Sequence, residues 1–280
     1  MSAPILVTGG GGMLAHALGK VFGDEVELVA RDLLDITDPS AVTHAVRGRR
    51  AVINSAAYTA VDNAESHESD AFAVNARGAE NIARACADAS VALIHVSTDY
   101  VFDGRATHPY SEDSPTGPIC AYGRSKLAGE RAVVTAHPAG TRILRTAWLY
   151  GASGPNLVAT MLAKARAGER VSVVTDQVGQ PTWTVDVANR IRHVLVAPPG
   201  IYHATNAGFC SWWDLAVAVY DSAGADVSLV EKTVAAAFVR PTPRPSYSVL
   251  GDEAAHGVGL PAMRPWRDAL NDALRTDFAV

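Results

Sequence analysis

The feature that most constrains this chain is a glycine turn set between a short apolar strand and a helix at its start. Ile5-Leu-Val7 reads as a buried strand, Thr8 leads into Gly9-Gly10-Gly11-Gly12, and Met13-Leu14-Ala15-His16-Ala17-Leu18 continues as a helix. In the spacing G-x-x-G-x-x-A, Gly9 and Gly12 permit a tight turn and a close backbone approach. Ala15 keeps the third position small enough for the helix to pack on the strand. The N–H groups of Met13 and Leu14 at the helix start then face a pyrophosphate. Strand, glycine turn and helix in this order commit the chain to a parallel sheet with helical crossovers and to a dinucleotide at its carboxyl edge.

Strands and helices continue to alternate down the chain. Val26 to Ala30 reads as a second strand, ending at Arg31 and Asp32, where an adenosine ribose is recognised. Arg31 suits the 2′-phosphate of NADPH, and Asp32 suits the free 2′-hydroxyl of NADH. Arg31 comes first after the strand, so NADPH is the expected cofactor and NADH the alternative. Pro39 to Arg47 reads as a helix, with Asp38 as N-cap and Pro39 at the first helical position. Ala51 to Asn54 is a strand, Asp70 to Ala87 an alanine-rich helix, Val91 to Val96 a strand and Thr141 to Thr146 another. Alternation of this kind gives an α/β, Rossmann-type, doubly wound parallel sheet.

Beyond residue 150 the pattern is less regular. Val171–Val174 and Gly200–His203 read as short strands and Val185–Val194 as a helix. Ser211 and Asp214 form a capping box at the head of another helix. Pro241 to Ser248 is a Pro-rich loop that no central strand would tolerate. The expected division is 1–150 for the NAD(P)-binding Rossmann domain and 151–280 for a smaller, mainly substrate-binding α/β part interleaved with it.

Composition narrows the function classes. The 280 residues are 48% hydrophobic and 19% charged, with a net charge of −5, which suits a soluble enzyme and gives no reason to expect nucleic acid or an anionic membrane as partner. No run is long enough to span a bilayer. Met1-Ser-Ala-Pro-Ile-Leu-Val carries no basic region ahead of a long apolar core, so no signal peptide is expected. Cys86, Cys120 and Cys210 are odd in number and far apart, which fits a reducing, cytoplasmic setting. With no paired histidine motif either, no metal is expected.

The chemistry concentrates between Ser97 and Lys126. The apolar strand breaks into Ser97-Thr98-Asp99-Tyr100-Val101-Phe102-Asp103-Gly104, and after a Pro-containing loop comes Tyr122-Gly-Arg-Ser-Lys126. Four apart on a helix, Tyr122 and Lys126 share a face. An ammonium beside a phenol favours the phenolate and is expected to lower the phenol's pKa from its usual ~10, giving a proton donor near working pH.

Thr98 with Tyr122-x-x-x-Lys126 resembles the catalytic set of the extended short-chain dehydrogenases. Ser97-Thr-Asp-Tyr-Val-Phe-Asp-Gly104 is similar to the corresponding stretch of the dTDP-4-dehydrorhamnose reductase family. Ala56-Ala57-Tyr58-Thr59-x-Val61-Asp62-x-Ala64-Glu65, Arg145 to Gly151 and the Arg244-Pro245-x-x-Ser248 segment carry the same resemblance, which runs through nearly the whole chain. It implies NADPH-dependent reduction of the 4-keto group of dTDP-4-dehydro-L-rhamnose to dTDP-L-rhamnose. It further implies that Asp35 and Ile36 contact the adenine and that Ala56, Ala57 and Tyr58 line the cofactor channel. Tyr122 donates the proton, Lys126 tunes it and binds the nicotinamide ribose, and Thr98 holds the carbonyl. Asp99 and Trp148 lie against the sugar, and Arg244 is the candidate for the diphosphate. Asn75 with Gly78 resembles a motif that supports the catalytic region, and Asp62 and Glu65 are expected to cap and orient the helix after them.

Tyr100 stands where related 4,6-dehydratases carry a carboxylate, so elimination of water is disfavoured. Two other readings remain. One is a 4-ketoreductase for a different dTDP-deoxysugar, and the other is a non-catalytic, nucleotide-sensing relative that binds a partner protein. The first helix has Ala15-His16-Ala17-Leu18 where some relatives place a metal-bridging glutamate, so a monomer or weak homodimer is expected.

Overall fold

The strands that carry the glycine turn and the Thr98 segment lie two apart in one parallel sheet. The structure is a computed structural model that describes residues 4–238 and 241–280; Met1 to Ala3, included in the sequence reading of the N-terminus, lie outside the described residues. Five strands come first: β1 (Ile5–Thr8), β2 (Val26–Val29), β3 (Ala51–Asn54), β4 (Ala92–Thr98) and β5 (Thr141–Thr146). Short strands come after them: β6 (Leu149–Tyr150), β7 (Val171–Val174), β8 (Val178–Gly179), β9 (Thr182–Trp183), β10 (Gly200–His203), β11 (Cys210–Ser211) and β12 (Val230–Thr233). The main sheet has the order β10-β5-β4-β3-β1-β2, and every pairing in it is parallel.

The chain therefore leaves β1 on one side to form β2 and on the other to form β3. Such a reversal opens a crevice at the carboxyl ends of the strands, where open α/β sheets bind ligands. The central strands are buried on both faces, as their unbroken apolar runs require. Val7, Val52, Ile53, Ile94 and Leu144 have no exposed surface. The helices Met13–Phe22 and Thr184–Val194 cover one face through Leu14, Leu18, Val187 and Ile191. The helices Pro39–Val46, Ala79–Asp88 and Ala121–Ala136 cover the other through Val42, Ile82 and Val133. A further core joins Leu157–Arg166, Trp212–Ser222 and Trp266–Asp277 around Leu162, Leu215, Tyr220 and Leu270. The small ribbons β6·β9, β8·β11 and β7·β12 edge this part of the molecule.

The caps agree with the sequence. Asp38 accepts from the amides of Ser40 and Ala41 ahead of Pro39. Ser211 and Asp214 cap each other's backbone. The helix expected over 70–87 departs from a single rod: Glu68–Phe72 is α-helical, Ala73–Gly78 is a π-turn and Ala79–Asp88 is α-helical again. The widened turn coincides with Asn75, whose side chain is committed to partners outside the helix, and π-turns are often found at functional sites.

Candidate active site

The first wall of the crevice is the glycine turn. Gly9 sits at φ +72°, and a Cβ there would lie 2.7 Å from the Ala56 amide nitrogen. At Gly10 a Cβ would meet Val29 at the same distance. Side chains would thus fill the space in which β1, β2 and β3 converge. The Met13–Phe22 helix begins at Gly12 without any side-chain cap, so its first N–H groups stay free for an anion. Thr8 Oγ1 donates to Asn54 Oδ1 at 2.7 Å, and Ser55 Oγ donates to the Thr8 carbonyl at 2.6 Å, which ties the two flanking strand ends together. This cradle fits a nucleotide diphosphate. Arg31 and Asp32 are both exposed beside it. Asp35 is held below its usual carboxylate range by the backbone and hydroxyl of Thr37, with Arg31 adding to the effect. Ile36 is buried under Gly78, where a Cβ would strike its side chain at 2.7 Å.

The second wall is β4 and the helix Ala121–Ala136. Cys120 is the N-cap, its sulfur accepting from Gly123 N at 3.4 Å, and Glu65 Oε1 accepts from Ala121 N at 2.8 Å. Glu65 therefore caps this distant helix and not the one directly after it in sequence. Asp62 caps nothing; its carboxylate takes Arg244 at 2.9 Å. Gly123 packs so closely that a Cβ would lie 2.2 Å from the Tyr100 carbonyl, which seats the helix start directly on the Thr98–Tyr100 turn.

Thr98 ends β4. Its hydroxyl donates to Asp99 Oδ1 at 2.9 Å, accepts from Tyr100 N at 3.2 Å and faces the phenol of Tyr122. Lys126 is buried, and its Nζ donates to the Val96 carbonyl at 2.7 Å. Burial lowers the ammonium to about 8, against a smaller opposing effect of Glu130. The expected lowering of the Tyr122 phenol is absent. Burial of its hydroxyl raises it instead, with Thr98 opposing, and the ammonium of Lys126 is committed to the strand carbonyl. Asp99 is also pushed up, to about 6, because burial outweighs the hydrogen bonds of Ser248 and Thr98; its Oδ2 has no partner in hydrogen-bonding geometry among the described residues.

Asn75 joins the walls. Its side chain accepts from Tyr58 N at 2.8 Å and donates to Tyr58 O at 3.1 Å and to Ser125 Oγ at 2.9 Å, and Ser125 in turn donates to the Tyr122 carbonyl at 2.8 Å. One buried amide thus fixes the Ala56–Tyr58 loop against the helix that bears Tyr122.

Beyond the carboxyl end of the sheet lies a cleft of about 320 Å³. Tyr100, Trp148, Trp212, Arg244 and Ser248 line it, with Leu157, Met161 and Phe238 as its apolar side. Thr98, Tyr122 and Lys126 do not line it. Tyr100 lies between, its ring edge-on to Tyr122 at 5.5 Å. Of the residues the sequence points to for the substrate, Trp148 and Arg244 reach the cleft. Trp212, Leu157, Met161 and Phe238 are additions. Trp212 has only one local mark in the sequence, its place as the first residue after the Ser211–Asp214 capping box. The others look like ordinary core residues.

A family model described as the RmlD substrate binding domain matches residues 3–278. The chain belongs to the dTDP-4-dehydrorhamnose reductase family. A relative from Streptomyces antibioticus, named probable dTDP-4,6-dihydroxy-2-methyloxan-3-one 4-ketoreductase, is 49% identical over 96% of this chain and 93% of its own length. A dTDP-4-dehydrorhamnose reductase from Streptomyces griseus is 46% identical over 96% of this chain and 92% of its own. The crystal structure of dTDP-4-dehydrorhamnose reductase from Bacillus anthracis in complex with NADP superposes with a TM-score of 0.93 at 35% identity, covering 98% of this chain and 99% of that one. The fold is thus that of a Rossmann-type reductase. Among the described residues, no helix is long and apolar enough to cross a membrane, and no cluster of three or more His, Cys, Asp or Glu is placed to hold a metal ion.

Proposed function

We propose that this protein reduces the 4-keto group of a dTDP-4-keto-6-deoxy sugar with NADPH, with dTDP-4-dehydro-L-rhamnose as substrate and dTDP-L-rhamnose as product. The observation that carries the reading is Tyr122 set beside Thr98 at the end of β4, with Lys126 of the same helix bonded to the Val96 carbonyl of that strand, two strands from an uncapped glycine turn. Gly9, Gly12, Met13 and Leu14 would hold the diphosphate. Arg31 would take the 2′-phosphate, Asp35 and Ile36 the adenine, and Ala56, Ala57 and Tyr58 the channel wall. When bound, the reduced nicotinamide supplies the hydride that adds to carbon 4.

The chain's own residues do the rest. Tyr122 gives its phenolic proton to the oxygen as it becomes an alkoxide. Its raised pKa keeps it protonated until that negative charge develops beside it. Thr98 holds the carbonyl oxygen within reach of the phenol. Lys126, lowered by burial to about 8 yet still largely cationic at neutral pH, binds the nicotinamide ribose and stabilises the phenolate left behind. Asp99 and Trp148 position the sugar. Arg244 engages the diphosphate: its buried Nη1 has no hydrogen-bond partner among the described residues, while Nη2 is held by Asp62. Residues 1–150 are proposed to serve mainly the cofactor and 151–280 mainly the sugar nucleotide.

A second reading, reduction of a different dTDP-deoxysugar at the same carbon, is favoured by the Streptomyces antibioticus relative. Consumption of NADPH, monitored by absorbance, separates the two when dTDP-4-keto-6-deoxyglucose is supplied with and without a 3,5-epimerase. Turnover that requires the epimerase is the expected result. Turnover without it selects the second reading, and cofactor binding without any turnover overturns both. Running the same assay with NADH decides between Arg31 and Asp32 as the residue that reads the ribose.

A further inference from the structure

Trp148 adopts a backbone conformation that an aromatic side chain rarely takes. Its φ is +46°, and among the described residues the other non-glycine positions with positive φ are Ser90 and Ala279. A bulky residue stays in this region only where its surroundings hold it there. Three contacts do so. The Trp148 carbonyl accepts from Thr182 N at 3.1 Å, where β6 and β9 pair. The indole lies over Gly179, where a Cβ would come within 2.4 Å of the ring. The same indole is stacked on Trp212, with centroids 3.4 Å apart and planes within 6°.

Trp212 is itself well fixed. It is the first residue of its helix, directly after the Ser211–Asp214 capping box. The β8·β11 ribbon pairs Cys210 with Gly179 and Ser211 with Val178, so one ribbon brings both the glycine and the second indole to Trp148. The neighbouring Trp213 is engaged elsewhere. Its Nε1 donates to the Val230 carbonyl at 2.9 Å, and Lys232 lies 4.4 Å over its ring. Trp212 has its ring on the cleft.

We propose that Trp212 is a positioning residue that holds the Trp148 indole as a fixed wall of the sugar-nucleotide cleft. It acts on binding of the sugar nucleotide and not on hydride or proton transfer, and the inference rests on the functional reading above. Held by Gly179 and Trp212, the Trp148 indole presents the cleft with a preset surface.

The test has an optical arm and a kinetic arm. Two stacked indoles couple their strong far-UV transitions, so the wild-type far-UV circular dichroism should show an exciton couplet that both Trp212→Ala and Trp148→Phe remove. Trp212→Ala should raise KM for the sugar nucleotide about tenfold, the scale of one aromatic stack, while kcat and KM for NADPH stay near wild type. Trp212→Phe, which can still stack, should restore most of the KM, whereas Trp212→Leu should not. The double variant Trp148→Phe/Trp212→Ala should be no worse than the poorer single variant. Unchanged KM after loss of the couplet, additive effects in the double variant, or equal behaviour of the Phe and Leu variants would each overturn the proposal. Should the wild type turn over no sugar nucleotide, the functional reading fails by itself. The Trp212 inference is then judged by the couplet and by calorimetric binding of a sugar-bearing probe, dTDP-glucose, to the wild type and the Phe and Leu variants, with equal affinities overturning it.

Discussion

The guanidinium of Arg145 is gripped at two points by the carboxylate of Glu130, Nε to Oε1 at 2.9 Å and Nη2 to Oε2 at 2.7 Å, with both side chains buried. The pair joins β5 to the helix that bears Lys126, one turn before Glu130. Arg145 also donates to the Glu112 carbonyl at 3.2 Å and lies over the Phe102 ring. Bidentate geometry and these further contacts offset the desolvation of two charges, but only while both partners are present. Glu130→Gln leaves a buried guanidinium without its counter-charge and should cost about 3–5 kcal/mol of stability. Urea unfolding would show this as a lower midpoint at an unchanged slope. A midpoint near wild type would mean that Glu112 and Phe102 suffice for Arg145.

Removal of the phenolic hydroxyl tests the proposed proton donor. Tyr122→Phe keeps the ring that packs edge-on to Tyr100, so the fold and NADPH affinity should survive. Turnover should fall about 10²–10⁴-fold, the usual contribution of a positioned acid. Single-turnover absorbance at saturating NADPH reads this directly, and a rate within a few-fold of wild type would remove Tyr122 from the chemistry.

Much of the scaffold is legible in the sequence because its signals are local. Gly9 to Ala15 dictates a turn and helix by steric permission alone, the apolar runs of β3 and β4 have the length of buried strands, and Asp38 and Ser211 announce their helices by capping. The features that sequence reasoning misses depend on tertiary pairing. Glu65 reads as a cap for its own neighbourhood, yet it caps the helix at Ala121, 56 positions away. Asp62 reads as a cap as well and serves Arg244 across 182 positions. The Tyr122–Lys126 spacing does place both residues on one helix face, but spacing says nothing of the Val96 carbonyl that takes the ammonium. The π-turn at 73–78 is hidden for the same reason, since Asn75 is satisfied by Tyr58 and Ser125, neither of which is near it in sequence.

Asp99 supplies a pH-dependent prediction. Burial raises its carboxyl from 3.8 in the unfolded chain to about 6 in the folded protein. Between these values the folded state holds the proton more tightly, so stability is greatest below the lower value and falls as pH rises through about 6. Above that pH the buried charge costs about 2–3 kcal/mol, taking 1.36 kcal/mol per pKa unit. Asp99→Asn keeps an acceptor for Thr98 and removes the charge. It should melt higher than wild type at pH 7.5 and no higher at pH 4, and it should lose activity if Asp99 contacts the sugar. Equal gains in melting temperature at the two pH values would show that the charge is not the cause.

Asn75 tests whether the two walls of the crevice must be held in register. Asn75→Ala removes three side-chain hydrogen bonds at once, two to the Tyr58 backbone and one to Ser125. Exposing unpaired buried groups on both sides should cost about 1–3 kcal/mol for each group left without a partner. Because Ser125 also donates to the Tyr122 carbonyl, the loss reaches the first turn of the proposed catalytic helix. Both kcat and NADPH affinity should fall, since Tyr58 lies in the proposed cofactor channel and Tyr122 beside the proposed reaction centre. Asn75→Asp retains the acceptor for Tyr58 N but loses the donors to Tyr58 O and Ser125, so the Tyr58 loop keeps one of its two bonds: NADPH affinity should fall less than in Asn75→Ala, with kcat reduced. If Asn75→Ala lost stability alone, with kcat and KM unchanged in the fraction that folds, the bridge would serve the scaffold and not the chemistry.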